Sequence, residues 1–170
     1  PLRGLVRWSD GLTPESRRAL AGRRIGPDGG LVPPIALSTT FARGQDYAPM
    51  GPHVYARSGS ATLEEAEAML AELEGADTSL LFNSGMAAIA TLLESLPQGA
   101  GIYAPKMFYH GTATWMHRLS ATGRIALSSY DGADLSAFDR VPEDTRLIWV
   151  ETPADPSWDV IDIAAAAKAA

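Results

Sequence analysis

The second half of the sequence alternates between short apolar runs and longer helix-like runs, and this alternation most constrains the fold. Strand-like runs are predicted at Ser79–Phe82, Ile102–Ala104, Arg124–Ser128 and Leu147–Val150. Helix-like runs are predicted at Gly85–Leu96, Tyr109–Ala121, weakly at Asp134–Phe138, and from Ile163 onward. Strand–helix alternation at this spacing implies right-handed crossovers, and so predicts an α/β fold with a mainly parallel sheet. The strands lack polar alternation, as expected when helices cover both faces of the sheet.

The first part of the chain has a different pattern. Residues 25–55 are rich in Gly and Pro, which predicts an extended arm with one strand-like piece at Ile35–Phe41. Before it, Thr13-Pro14-Glu15 is typical of a helix start, and this helix is predicted to end near Gly22. After it, a capping box of Thr62 and Glu65 predicts a second helix, which ends at Gly75. We therefore predict an inter-subunit arm over residues 1–54 and the first part of a larger domain over residues 55–170.

Composition excludes several classes of protein. The 170 residues are 46% hydrophobic and 20% charged, which is ordinary for a globular protein. No apolar run approaches the roughly 20 residues of a membrane helix, so no membrane partner is expected. The absence of cysteine excludes disulfides and thiolate metal sites and favours a cytoplasmic setting. The net charge of −6 argues against a nucleic-acid partner.

The charge is distributed unevenly along the chain. Residues 1–24 carry a net charge of +4, which leaves −10 for the remainder. The positive charges are six arginines: Arg3, Arg7, Arg17, Arg18, Arg23 and Arg24. A basic arm of this kind can contact the acidic body of a second copy of the chain. The alternative is a solvated helix with scattered arginines.

The strongest candidate for anion binding follows the first predicted strand of this alternating region, at Asn83-Ser84-Gly85-Met86. A glycine at a helix start leaves free backbone N–H groups, which together with the helix dipole favour a phosphate. The hydroxyl of Ser84 adds a further hydrogen-bonding group, and the alternative is a tight turn with Ser84 as N-cap. The sequence contains neither a Walker motif nor a G-x-G-x-x-G after a strand, so a nucleotide is not indicated. The anion would need a counter-charge from elsewhere.

Three other segments carry candidate ligand-binding side chains. Tyr55 and Arg57 lie two residues apart, a spacing that points both the same way in an extended chain and suits a phosphate. Tyr109 in "FYHGT" begins a helix at the same predicted sheet edge, where its ring can stack on a flat heteroaromatic ligand. Asp155 in "ETPADP" offers a carboxylate at a strand end. The alternatives are a surface arginine with a packed tyrosine, a core tyrosine and a turn aspartate.

Other kinds of site find little support in the sequence. The three histidines (His53, His110 and His117) lack metal-binding spacing. Ser84 lies in N-S-G rather than in the G-x-S-x-G of a nucleophile elbow. The lysines are Lys106 and Lys168, and neither is assigned a Schiff-base role.

These segments together resemble the Cys/Met-metabolism family of pyridoxal 5'-phosphate (PLP) enzymes, over about residues 25–170. The matching text is "VPPIALSTTF", "YARSGSATLEEAEAMLAELEGA", "SGMAAI", "FYHGT" and "ETPADPSWDVIDI". The resemblance implies an aspartate-aminotransferase-like (fold type I) large domain, a dimer or tetramer, and C–S bond chemistry on sulfur amino acids. Cystathionine γ-synthase or γ-lyase activity is favoured. Methionine γ-lyase, homoserine sulfhydrylase and cystathionine β-lyase are the alternatives within the family.

The resemblance also implies roles for the candidate residues. Gly85 and Met86, with Ser84, would hold the PLP phosphate through the helix start. Tyr55 and Arg57 would reach the phosphate of the neighbouring subunit's PLP. Tyr109 would stack on the pyridine ring and help to handle the substrate. Tyr55 and Tyr109 are therefore the candidate catalytic residues of this chain.

This chain departs from the family pattern at several positions. Asp155 stands where the family often has an Asn beside the PLP phenolic oxygen, which would place two negative groups together. Gly111 stands where methionine γ-lyases carry a reactive Cys, which disfavours that activity. "ETPADPSWDV" likewise disfavours the β-lyase assignment.

The sequence begins at Pro1 and stops within a helix-like "DIAAAAKAA", so we expect the first part of a longer polypeptide, with an ordering limit as the alternative. The resemblance implies that the PLP lysine, the Asp that pairs with the pyridinium nitrogen and the substrate-binding Arg lie beyond Ala170. Residues 1–170 alone are therefore predicted to be inactive. The alternatives outside the family are another fold-type-I enzyme, such as an aminotransferase or decarboxylase, and a non-catalytic remnant that serves as an interaction module.

Overall fold

The computed structural model describes residues 12–20, 30 and 32–170, and these fall into two compact units. One unit ends at Leu81 and the other begins at Phe82. The arginine side chains of the predicted basic arm, in residues 3–24, lie outside the described part of the chain. The basic arm therefore stays a prediction.

In the first unit, helix α1 spans Pro14–Leu20. The hydroxyl oxygen of Thr13 accepts the backbone N–H of Ser16 at 3.3 Å, and Glu15 places an acid in the first turn. The predicted helix start is confirmed, because a Thr cap, a Pro at the first position and an early acid act together here. The predicted end near Gly22 lies outside the described residues.

The arm folds back on itself within residues 39–56. Thr40 and Tyr55 form a single antiparallel bridge, and the N–H of Ala56 donates to the carbonyl of Thr39 at 2.8 Å. The predicted strand at Ile35–Phe41 is therefore wrong, since this one bridged residue is its only ladder contact among the described residues. Glycine and proline in the intervening loop let the chain turn locally but do not sustain a longer ladder.

Helix α2 spans Ala61–Glu74 and ends at Gly75, whose φ of 67° is left-handed, as predicted for a glycine stop. Its start differs from the prediction. Ser60 is the N-cap, with extended backbone and an Oγ that accepts a first-turn N–H at 3.3 Å. Thr62 already lies inside the helix, and its Oγ1 accepts a backbone N–H of the preceding arm at 2.8 Å. The predicted capping box of Thr62 and Glu65 is therefore wrong.

Residues Ser79–Phe82, predicted as a strand, form no ladder within the described part of the chain. The N–H of Leu81 donates to Oε1 of Glu67 at 2.9 Å, and the hydroxyl of Ser79 donates to the backbone carbonyl of Glu67 at 2.7 Å. The strand prediction is therefore wrong here, because a strand requires a neighbouring strand and these groups bond to α2 instead. The side chain of Leu80 is 74% exposed.

The second unit contains a parallel sheet with strand order β2-β1-β3 in the described residues. Its strands span Ala100–Pro105 (β1), Ile125–Tyr130 (β2) and Thr145–Ile148 (β3). Its α-helices span Gly85–Ser95 (α3), His110–Ala121 (α4) and Ile163–Ala169 (α5). The strand–helix alternation and the parallel sheet are confirmed. The weak helix predicted at Asp134–Phe138 is a 3₁₀ turn at Ala137–Arg140.

Both faces of β1 are covered, which explains why the strand lacks polar alternation. On one face, Ile102 and Ala104 pack in a buried cluster with side chains of α3 and α4: Leu93, Met116 and Leu119. On the other face, Tyr103 packs against Tyr130 with ring centroids 4.8 Å apart. Successive side chains of a strand point to opposite faces, so this one central strand contributes to two cores.

Candidate functional site

The three strands of the second unit end at the same edge of the sheet, and the segments that follow two of them each carry a predicted site residue. Because the strands are parallel, their carboxyl ends meet where ligands of open α/β sheets bind. Tyr109 follows β1, and Asp155 follows β3. Ser84, Gly85 and Met86 lie at the start of α3 in the same unit.

The start of α3 is uncrowded, and the backbone of the residue before the helix is extended. Ser84 is the N-cap, and its Oγ accepts the N–H of Ala87 at 3.1 Å. Gly85 and Met86 occupy the first turn, so their N–H groups have no carbonyl of the helix to bond. A Cβ built on Gly85 would meet no atom within 4 Å. The first turn therefore has both the free donors and the space that a phosphate group needs.

Tyr109 is the N-cap of α4, and the residue is 43% exposed rather than buried in the core. Its side chain makes no capping hydrogen bond. Its backbone N–H donates to Oε1 of Glu151 at 2.9 Å. The ring folds back over Gly111, where a Cβ would lie 2.6 Å from the Tyr109 Cε1. The core alternative for Tyr109 is excluded, and an exposed ring face remains available for stacking.

A buried threonine joins the starts of α3 and α4. Thr112 is fully buried, and its hydroxyl donates to the sulfur of Met86 at 3.8 Å. Thioether sulfur is a weak acceptor, so the contact contributes position rather than much energy. It places the first turn of α3 beside the first turn of α4.

Asp155 lies in an exposed turn after β3. Its backbone N–H donates to the same Glu151 oxygen that accepts from Tyr109, at 3.2 Å. The turn closes where the N–H of Trp158 donates to the carbonyl of Ala154 at 2.7 Å. Asp155 is exposed in this turn, and its role at a ligand stays a prediction.

Tyr55 and Arg57 lie in the first unit and point the same way, but for a different reason from the one predicted. The segment is a turn rather than an extended strand, closed by the N–H of Ser58 donating to the carbonyl of Tyr55 at 2.9 Å. The guanidinium of Arg57 lies 5.0 Å from the centroid of the Tyr55 ring, within cation–π range. Both side chains are exposed, so the pair is available to a ligand from outside this unit.

Sequence reasoning missed two residues of this site, Glu151 and Thr112. Glu151 is the first residue of "ETPADP", a segment in which the sequence analysis assigns a role to Asp155 alone. The signal for Glu151 was position, since an acid just beyond the end of a strand lies near the same edge of the sheet as the helix starts. Thr112 carried no signal, because a buried hydroxyl bonding to a sulfur follows from packing alone.

Residues 12–20, 30 and 32–170 contain neither a metal-binding cluster nor a membrane-crossing helix. No group of three or more His, Cys, Asp or Glu in this part of the chain lies close enough to hold a metal ion. His53 instead contacts Glu64 at 3.3 Å and the Phe41 ring at 5.2 Å between centroids. No helix within the same residues is long and apolar enough to cross a membrane.

In the second unit, the assembled features fit a ligand with an anionic group and a flat ring. The start of α3 offers donors and space for the anion, and Tyr109 offers an exposed aromatic face. The hydrogen bond of Thr112 to Met86 connects α4 to the start of α3. The hydrogen bonds of Glu151 connect Tyr109 to the loop of Asp155. The residues present therefore fit PLP, which carries both a phosphate and a pyridine ring.

Comparisons with known proteins agree with this geometry. Residues 20–170 match the family model described as "Cys/Met metabolism PLP-dependent enzyme". The cystathionine gamma-lyase of Saccharomyces cerevisiae is 34% identical over 143 residues, which cover 84% of this chain and 36% of that protein.

Solved structures are similar over nearly all of this chain. The structure of metB from Corynebacterium glutamicum superimposes with a TM-score of 0.81 at 30% identity, covering 94% of this chain and 42% of that one. Cystathionine gamma synthase from Xanthomonas oryzae pv. oryzae, solved in complex with cystathionine, gives 0.78 at 29% identity, covering 93% and 42%. The chain thus spans well under half the length of the relatives it matches.

Proposed function

Because this chain belongs to the Cys/Met metabolism PLP-dependent enzyme family, we propose that its parent protein performs PLP-dependent C–S bond chemistry at the β or γ carbon of sulfur amino acids. Cystathionine γ-lyase or γ-synthase activity is the specific form proposed. The Saccharomyces relative is a cystathionine gamma-lyase, and the Xanthomonas relative is a cystathionine gamma synthase that was solved with cystathionine bound. The substrate of this protein is accordingly proposed to be a small amino acid of that class.

One observation carries the proposal beyond family membership: the contacts from Met86 through Thr112 to the start of α4, and from Tyr109 through Glu151 to Asp155. They bring an anion-binding helix start, an exposed aromatic ring and an acidic loop to one edge of the sheet. None of these features alone distinguishes a PLP site from an ordinary turn. Their convergence at one edge of the sheet supports a PLP site.

The residues of this chain would hold the cofactor by its two ends. The N–H groups of Gly85 and Met86 would bind the phosphate at the start of α3, where the helix dipole favours negative charge. The ring of Tyr109 would cover one face of the pyridine and exclude water from it. When bound, PLP supplies an electron sink for the negative charge that develops on the substrate during bond cleavage.

Asp155 and the Tyr55–Arg57 pair would act on the electrostatics of the site. The carboxylate of Asp155 would keep a neighbouring proton on the cofactor to higher pH, since a negative charge favours the protonated form. Arg57 and Tyr55 would supply the counter-charge and a hydroxyl to the phosphate held by a neighbouring copy of the chain. A homodimer or homotetramer in the cytoplasm, joined in part by the arm of residues 1–54, belongs to the same proposal.

Product analysis of the full-length protein tests the proposed activity. Release of cysteine from cystathionine would support a γ-lyase, and synthesis of cystathionine from an acylated homoserine and cysteine would support a γ-synthase. Release of homocysteine from cystathionine or of methanethiol from methionine would support the β-lyase or methionine γ-lyase instead. Absence of turnover with all of these substrates, in protein saturated with PLP, would overturn the proposal. The isolated residues 1–170 are expected to show no turnover.

A further inference from the structure

One carboxylate oxygen connects the two loops that carry Tyr109 and Asp155. Oε1 of Glu151 accepts the backbone N–H of Tyr109 at 2.9 Å and that of Asp155 at 3.2 Å. Glu151 lies three residues after the end of β3, and two residues before it the N–H of Trp149 donates to the carbonyl of Tyr103 in β1 at 2.8 Å, which ties this segment to the sheet. The side chain is thus a fixed point from which both loops are held.

The contact with Tyr109 acts on the N-cap of α4. The N–H of this N-cap residue is among the first N–H groups of the helix, which have no helical carbonyl to bond, so it requires an acceptor from elsewhere. A carboxylate is the favoured acceptor, since it makes a charge-assisted bond and lies at the positive end of a helix of 12 residues. Because a tyrosine ring moves with its backbone, this bond sets where the ring of Tyr109 can lie.

The contact with Asp155 acts on a loop that has few other donors. Pro153 and Pro156 flank it and have no N–H, so few backbone groups can fix its position. The N–H of Ala154 bonds within the turn, to the carbonyl of Asp159 at 2.9 Å. Glu151 therefore supplies the bond that ties the Asp155 backbone to the rest of the sheet edge.

We propose that Glu151 is a positioning residue, which fixes the backbones of Tyr109 and Asp155 relative to each other so that both side chains would face the cofactor. It acts through these two residues and touches neither substrate nor cofactor. Its effect on the loops follows from contacts within this chain, whereas its effect on PLP rests on the proposed function. The two effects can be measured separately.

The first measurement is backbone hydrogen exchange on the full-length protein, which needs neither ligand nor activity. In Glu151→Ala, the N–H groups of Tyr109 and Asp155 should exchange about tenfold faster, because each loses one net hydrogen bond. Glu151→Gln keeps an acceptor oxygen and should restore most of the protection. Asp162→Ala is the matched control, since Asp162 also accepts one backbone N–H, that of Ala165 at 2.9 Å, but at α5.

The second measurement is the absorbance spectrum and dissociation constant of PLP bound to the same variants. Glu151→Ala should weaken PLP binding about tenfold and shift its absorbance, while Glu151→Gln should stay close to the unsubstituted protein. A change in kcat larger than the change in KM is expected from a displaced stacking ring. Asp162→Ala should lower stability without moving the spectrum.

The outcomes separate the two proposals. Unchanged exchange at both Tyr109 and Asp155 in Glu151→Ala would overturn the positioning role. Faster exchange with an unchanged PLP spectrum and dissociation constant would show that Glu151 holds the loops without affecting the cofactor. This result would overturn its role at the cofactor. If the unsubstituted full-length protein bound no PLP, the proposed function would fail, and hydrogen exchange would still decide whether Glu151 holds the two loops.

Discussion

The guanidinium of Arg124 donates to the carbonyl oxygen of Leu96 at 2.7 Å and thereby closes the end of α3. The same side chain reaches the carbonyls of Glu94 at 2.8 Å and Pro97 at 3.1 Å. A planar group with five donors can satisfy several of the carbonyls that a helix end leaves unpaired. Helix α3 is thus fixed at its far end by a residue next to β2, and its start is the predicted phosphate-binding site.

Replacing Arg124 with alanine should lower the free energy of unfolding of the full-length protein by about 2 kcal/mol, because several charge-assisted bonds are lost together. Arg140→Ala is the control. Arg140 pairs with Asp134 on the surface, where water and salt screen such a pair and it contributes little to stability. Urea or thermal denaturation measures both. Equal losses in the two variants would contradict the helix-closing role of Arg124.

Replacing Gly111 with alanine should displace the ring of Tyr109, because the new Cβ would lie 2.6 Å from the present position of its Cε1. Stability should not fall, since alanine favours a helix over glycine by about 1 kcal/mol. The absorbance of bound PLP should therefore change in a protein that remains folded. Gly51→Ala, at a position with no atom within 4 Å of the new Cβ, is the control. A crystal structure of Gly111→Ala with an unmoved ring would refute this prediction.

Replacing Asp155 with asparagine should lower the pH at which the absorbance of PLP bound to the full-length protein changes. A negative charge beside the cofactor raises the pKa of its proton, so its removal lowers that pKa. The measurement is a spectrophotometric pH titration. Asp139→Asn, in the exposed 3₁₀ turn, should leave the midpoint unchanged. A midpoint that does not move in Asp155→Asn would show that its carboxylate lies away from the cofactor.

Hybrid oligomers test whether Tyr55 and Arg57 act on a neighbouring copy. Arg57→Ala should weaken PLP binding by about tenfold or more. Mixing this variant with full-length chains that lack the cofactor lysine should restore activity, because each hybrid contains one complete site. Arg43→Ala, which removes a guanidinium bonded to the carbonyl of Tyr47 at 2.8 Å, should not weaken PLP binding. Hybrids no more active than their parents would mean that Arg57 serves its own chain.

Alkaline unfolding should depend on Tyr130. Burial, with a smaller effect from Tyr103, raises the pKa of Tyr130 to about 12. The unfolded phenol ionises at about pH 10, so the stability that this neutral group contributes is present below pH 10 and is lost progressively as the pH rises towards 12. Tyr130→Phe should reduce this alkaline loss, and exposed Tyr47→Phe should not. Denaturation at pH 8 to 11.5 measures the difference; equal slopes would contradict it.

Local patterns in the sequence predicted the second unit well. The apolar runs around Ile102 and Leu147 correspond to β1 and β3, and the glycine at residue 85 marks the start of α3. These features depend on residues close together in the chain, which short-range propensity and capping describe directly. The predictions failed where a distant group competed. Leu81 bonds to Glu67 instead of joining a strand, and Thr62 accepts the N–H of Ala36 while Ser60 caps α2.

The sequence by itself determined the α/β class, the parallel sheet and the types of side chain that gather at its carboxyl edge. Apolar periodicity and turn residues are sufficient to predict these features, because both depend on residues that lie close together in the sequence. Only the tertiary structure decided which side chains connect those segments: Glu151 between Tyr109 and Asp155, Thr112 against Met86, and Arg124 at the end of α3. Such contacts join residues from 4 to 42 positions apart, and their geometry exists only once the sheet has brought its strand ends together.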